Sequence, residues 1–259
     1  MNKVLPIFIA MVALLLCACG VQVQLQTWEP SLVNLRRGSS LRVYSLHYND
    51  ASRRLSKSLN RCLRESGFYS LGGTSATLYI ERALESETSR VIHTCSADEV
   101  CHCTEDVETT LRTTVRLELH GQILYRRFLS DTASGYGADY DGVAQDIVND
   151  LVPHAVTYSV RIKPQKGNDV LEQAAEACRR GDWAVGQSLA KSSLQSYPGD
   201  SEAYYLLGII ARHHGDYGAS TQYFSRAETI TPSSRYAEAM RENAELQAKE
   251  KLARSQLKG

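Results

Sequence analysis

The spacing of apolar and polar positions changes period several times along this chain, and each change marks an element. Val21-Gln22-Val23-Gln24-Leu25-Gln26 and Leu41-Arg42-Val43-Tyr44-Ser45-Leu46 alternate strictly, as half-buried strands do. From Asp50, read as an N-cap, to Gly67 the period lengthens. Leu55, Leu59, Cys62 and Leu63 fall on one helical stripe, while Arg53, Arg54, Lys57 and Arg61 fall on others. Residues 76–85 alternate again, and 111–119 join 123–129 through His120-Gly121-Gln122 as a hairpin. Residues 141–151 space Val143, Ile147, Val148 and Leu151 helically, Pro153 stops that helix, and Val156, Tyr158 and Val160 alternate after it. The order is βαβββαβ with one further strand ahead. Each helix has one apolar stripe and each hairpin strand one apolar face, which predicts an α+β domain with its helices on a mostly antiparallel sheet. Its expected bounds are 41–163, with 19–40 as a leading strand.

Beyond residue 168 the period is helical throughout. Gly181-Asp182-Trp183 and Gly215-Asp216-Tyr217 recur at the same offset as Pro198 and Pro232, which lie 34 positions apart. That is the tetratricopeptide-repeat period. Tyr204, Leu207 and Gly208 resemble the start of the repeat pattern and Phe224, Ala227 and Pro232 its end, with Ala211 where a larger aromatic is usual. The first copy is degenerate, having Gln173 and Ala174 in place of the Leu-Gly pair. The resemblance implies an all-α domain of two repeats over 168–232, closed by a polar capping helix over 233–259. It also implies that Leu171, Ala175, Cys178, Tyr205, Ile209 and Arg212 line an inner groove able to take a partner peptide, or to pack on the chain's own first domain.

At the other end, Met1-Asn2-Lys3 precedes an apolar run from Val4 to Leu16, too short to span a bilayer and shaped like a signal peptide. The run ends in Leu16-Cys17-Ala18-Cys19-Gly20, which resembles the lipobox of bacterial lipoproteins. That resemblance implies removal of residues 1–18, a lipid on Cys19, and a membrane-tethered protein whose fold is otherwise soluble. Gly20 in place of Asp after the cysteine implies the outer membrane, facing the periplasm.

Trp28-Glu29-Pro30-Ser31-Leu32-Val33-Asn34-Leu35, the strand at Val43, the turn at Gly121 and Leu151-Val152-Pro153 together resemble the periplasmic module of three groups. These are the curli-secretion-channel lipoproteins, the penicillin-binding-protein activator lipoproteins and the N-terminal domain of TolB. In those proteins the module binds partners and performs no reaction, and the channel-forming members make an oligomeric export channel an alternative here.

Charge narrows the partners. Lys plus Arg and Asp plus Glu both number 29, so no overall basic field favours nucleic acid. The most conspicuous polar cluster is His93-Thr94-Cys95 with Cys101-His102-Cys103, placed by the pattern in a loop between strands. Thiolate and imidazole suit zinc, but the spacing departs from the usual two-residue knuckle, and an exported chain meets an oxidising compartment. A disulfide is therefore favoured over a metal, without fixing the pairing among the five cysteines left after Cys17 and Cys19. Cys62, on the apolar stripe, reads as core. The chain is expected to be a non-enzymatic envelope protein, with no cofactor, no catalytic residue, and the membrane and another envelope protein as partners. Alternatives are a metal-binding or redox-sensing role for the Cys95/Cys101/Cys103 cluster, and a homo-oligomeric channel subunit.

Overall fold

The computed structural model of the chain describes residues 20–95 and 101–258; the proposed signal segment and Cys19 lie outside them. Two compact units emerge. One comprises Glu29–His154 with residues 252–258, the other residues 20–28 with Ala155–Lys251.

The first unit is built on five strands: β2 (Ser40–Ser45), β3 (Ser70–Leu71), β4 (Ala76–Cys95), β5 (Cys101–Leu119) and β6 (Gln122–Ser134), in the order β3-β2-β4-β5-β6. The β2 strand runs parallel to β3 and β4, whereas β4, β5 and β6 are mutually antiparallel. Helices α1 (Asp50–Ser66) and α2 (Tyr140–Leu151) supply Leu55, Leu59, Leu63, Val143, Ile147 and Leu151 to a core completed by Leu78, Ile80, Leu111, Val115 and Leu117 of the sheet. This is the α+β arrangement that the periodicity predicts. Asn49, not Asp50, caps α1, accepting from the Ser52 amide at 2.7 Å, and Gly67 ends the helix in the left-handed region at φ 61°. His120 and Gly121 both take positive φ, as a two-residue turn between right-twisted antiparallel strands requires.

The hairpin strands differ from expectation in length. The segment from Ser86 to Thr110, read from the sequence as ending one strand and forming a loop, continues both strands to Cys95 and from Cys101. Its polar residues conceal this because little core lies beneath them. Residues 86–92 are exposed on both faces, so no burial pattern survives to be read.

In the second unit β1 (Val21–Glu29) pairs with β7 (His154–Ile162) as a separate sheet of two strands. Helices α3 (Asp169–Arg179) and α4 (Trp183–Ser196) form one pair, and α5 (Ser201–His213) and α6 (Tyr217–Ile230) a second, with α7 (Ser234–Lys258) following. Gly181 and Gly215 turn the two pairs at φ 88° and 75°; Asp216 then caps its return helix by accepting from the Ala219 amide, whereas Asp182 holds the same N-cap position without a side-chain capping bond. The helix starts at Asn168 and Asp200 are tied together. The Asn168 amide donates to Asp200 at 2.6 Å and to Ser193 at 2.8 Å, while each residue also accepts from its own helix's backbone. All three are buried, so this polar knot fixes where successive pairs begin.

Candidate functional site

The six residues expected to line an inner groove are not open to a partner. Leu171, Ala175 and Ile209 are 0 % exposed and Arg212 only 5 %. Cys178 and Tyr205 are buried with them in a core closed by Val21, Val23, Leu25, Ile162, Tyr236 and Ala239. The unit's own strands and α7 occupy the space that a peptide would need. The final helix is accordingly more than a solvating cap, since Tyr236 and Asn243 are buried as well. Tyr205 packs 5.2 Å from Phe224 and 5.3 Å from Tyr236, with the Arg235 guanidinium 4.0 Å over its ring.

The exposed feature is the end of the β4–β5 hairpin. β2 pairs with β4 only over Ala76–Ile80, and β6 reaches β5 only to Glu108. Residues 90–95 and 101–106 therefore pair with each other alone and form a ribbon with two open edges among the described residues. Open edges expose unpaired amides and carbonyls, a ready surface for strand addition. Val91 is 56 % and Ile92 41 % exposed, on opposite faces. On the facing strand Glu105 stands in register with Val91 and Asp106 with Arg90, so the two carboxylates fall on opposite faces. The cysteine cluster sits here, on strand ends and not in a loop: Cys95 is in register with Cys101, and His93 with Cys103.

Sequence reasoning missed a cleft of about 810 Å³ between α1 and the start of α2, lined by Arg54, Lys57, Arg61, Arg64, Tyr140 and Asp141. The signal was available, because four cations at spacings of three, four and three make one helical stripe. Arg61 pairs with Asp141, whose carboxyl is held below its ordinary range by hydrogen bonds from Arg61 and Ser58. Arg54 lies 3.8 Å from Glu85 and stands over the Tyr140 ring. These pairings offset much of the stripe's charge, leaving a structural brace more than a binding site. Among the residues whose side chains the structure describes, which do not include 93–95 and 101–103, no group of three or more His, Cys, Asp or Glu is arranged to hold a metal.

His213 and His214 close α5, with ring centroids 5.2 Å apart in an edge-on arrangement. The His213 ring stacks on Trp183 at 3.8 Å and 15°. Burial, with a smaller contribution from His214, pushes the His213 pKa below 6.5. The folded state thus binds this proton less readily than the unfolded state, so the stability from neutral His213 is present above pH 6.5 and lost as pH falls through the lowered value. Thermal melts of the wild type and His213→Gln between pH 8 and 5 should show a steeper acid loss in the wild type. Parallel profiles would refute this.

No family model and no curated protein matches the chain. Among solved structures it is similar to a minor lipoprotein from Acinetobacter baumannii at 17 % identity and a TM-score of 0.30, over 45 % of this chain and 92 % of that one. It is also similar to rare lipoprotein B from Shewanella oneidensis (9 % identity, TM-score 0.23, 61 % and 99 % covered). A lipoprotein B from Nitrosomonas europaea matches at 14 % identity with a TM-score of 0.24, over 64 % and 88 %.

Proposed function

We propose that this chain is a lipid-anchored protein of the bacterial cell envelope, held through Cys19 at the periplasmic face of the outer membrane, and that it works by docking another envelope protein without catalysis. The anchor rests on Leu16-Cys17-Ala18-Cys19-Gly20 following an apolar run of signal-peptide length. The docking role rests on the two-edged ribbon at the end of β4 and β5, which carries exposed Val91 and Ile92 and has no third strand beside it among the described residues. We read the two helix pairs as tetratricopeptide-type repeats, on the 34-residue period and the Gly-Asp turns. Their inner face is filled, so the proposed contact lies on the ribbon and not on Tyr205 or Arg212. The polar ribbon residues keep such a surface soluble until it is paired.

The anchor is tested by replacing the acceptor thiol. Cys19→Ser should leave an uncleaved or unlipidated chain that lacks the acyl mass, and its mature fold should not be held in the outer-membrane fraction. Equal outer-membrane retention and equal mass of the two proteins would overturn the reading.

A further inference from the structure

The hairpin register resolves a pairing that spacing alone leaves open. Cys95 stands opposite Cys101 and His93 opposite Cys103. Positions two apart on a strand share a face, so all four fall on one face of the ribbon. Directly opposed residues of an antiparallel pair have Cα atoms ~4.5–5.5 Å apart, inside the ~4.4–6.8 Å that a disulfide tolerates. The other combinations fit poorly. Cys101 and Cys103 are separated by two strand steps of ~3.4 Å each, at the outer limit for Cα atoms and beyond the usual ~3.5–4.5 Å between Cβ atoms. Cys95 and Cys103 are diagonal neighbours at ~7–8 Å. Cys62 and Cys178 are free and buried in different cores, and burial pushes the Cys178 thiol up to about 12, so neither supplies a ready thiolate.

We propose that Cys95 and Cys101 form a cross-strand disulfide that locks the end of the ribbon, leaving Cys103 as a free thiol opposite His93. The proposal rests on the exported-protein reading, because such a bond persists only in an oxidising compartment. The oxidant is a disulfide, either of a small thiol or of a protein. One cysteine thiolate attacks it, forming a mixed disulfide and releasing a thiol, and the second thiolate then displaces the other thiol. The two cysteines lose two protons and two electrons, and the oxidant gains them. The bond has a physical purpose, since a two-stranded ribbon without a third strand is only marginally stable in water.

The full-length chain, extracted from envelopes in detergent with its thiols trapped by alkylation, would be cut by a glutamate-specific protease. Cleavage after Glu99 separates Cys95 from Cys101 and Cys103. The expected result is a disulfide-linked pair of fragments with Cys103 alkylated. That link should survive Cys103→Ser and vanish in Cys95→Ser and Cys101→Ser. A link lost in Cys103→Ser but kept in Cys101→Ser would overturn the pairing. So would three alkylated cysteines in a chain whose mass shows the lipid on Cys19, including a chain that retains a metal ion in its native mass. Purified reduced chain treated with oxidised glutathione separates the two ideas. Formation of the Cys95–Cys101 link there, with the cellular protein reduced and its leader uncut, would support the pairing and refute export. Failure of the link to form under that treatment would overturn the pairing itself.

Discussion

Phe224→Ala is expected to lower the stability of the helical unit by about 3–5 kcal/mol, the range for deleting a fully buried aromatic side chain. Phe224 is 0 % exposed, packs 5.2 Å from Tyr205, and lies 5.1 Å beneath the Arg212 guanidinium. Its ring fills the space that Gly208 leaves empty, since a Cβ on Gly208 would stand 2.3 Å from the Phe224 Cε1 atom. Gly208→Ala alone should therefore destabilise too, by overpacking, in the range of about 1–3 kcal/mol. The two changes should not add, because the methyl at 208 enters the cavity vacated at 224. A thermal melt is the direct measurement, and for a domain of about a hundred residues the single Phe224 change should lower the midpoint by more than about 12 °C. A double variant that loses the sum of the single losses would show that the two sites do not share this space.

Arg212→Met is expected to destabilise the same unit by roughly 2–4 kcal/mol, through stranded acceptors and not through lost volume. The guanidinium is 5 % exposed and donates to Asn243 Oδ1 at 2.7 Å and to the Ala239 carbonyl at 2.7 Å. A longer bond at 3.3 Å reaches the Tyr158 hydroxyl, and Glu242 lies at the same distance. Methionine fills much of the arginine stem's volume but donates nothing, so Asn243 keeps a buried Oδ1 without its donor, while the Ala239 carbonyl loses a second bond beside its helical one. Glu242 is half-exposed and regains water, which limits the electrostatic part of the loss. Because Arg212 holds α5 against α7, denaturant midpoints should fall with little change in slope. Binding to an envelope partner should be unchanged at temperatures where the variant remains folded. Reduced binding at full stability would return Arg212 to the groove role that the repeat pattern suggests.

These two residues show how far the sequence could be read. The 34-residue period and the Gly-Asp turns located both helix pairs, because turn chemistry and 3.6-residue periodicity are local signals. What fills a concave helical face is not local. β1 is separated by more than a hundred residues from the helices whose core it helps to close, and Val21-Gln22-Val23-Gln24-Leu25 reads equally well as a strand of the α+β sheet. The groove prediction failed for that reason. Leu171 and Tyr205 have the composition of an inner helix face whether a peptide or the chain itself covers them.

The hairpin illustrates the opposite difficulty. Leu111, Val115 and Leu117 are buried and alternate visibly, so the half of β5 over the core was legible. The stretch Thr104, Glu105 and Asp106 is exposed throughout and looked like a loop. Its strand character comes from the antiparallel ladder with β4, a pairing that hydropathy does not encode. The cysteines were recognised as the chemical cluster, but their register could be fixed only once the ladder was known.

The docking claim is tested most directly by photoreactive residues placed in living cells at Val91 and Ile92, with Tyr48, which is 97 % exposed on the same unit, as the control position. The prediction is one envelope protein attached from the ribbon positions and absent from Tyr48, with the adduct reduced when Cys19→Ser removes the anchor. If Val91 and Ile92 yield no adduct beyond that seen at Tyr48, the ribbon is not the docking surface and the proposed function fails.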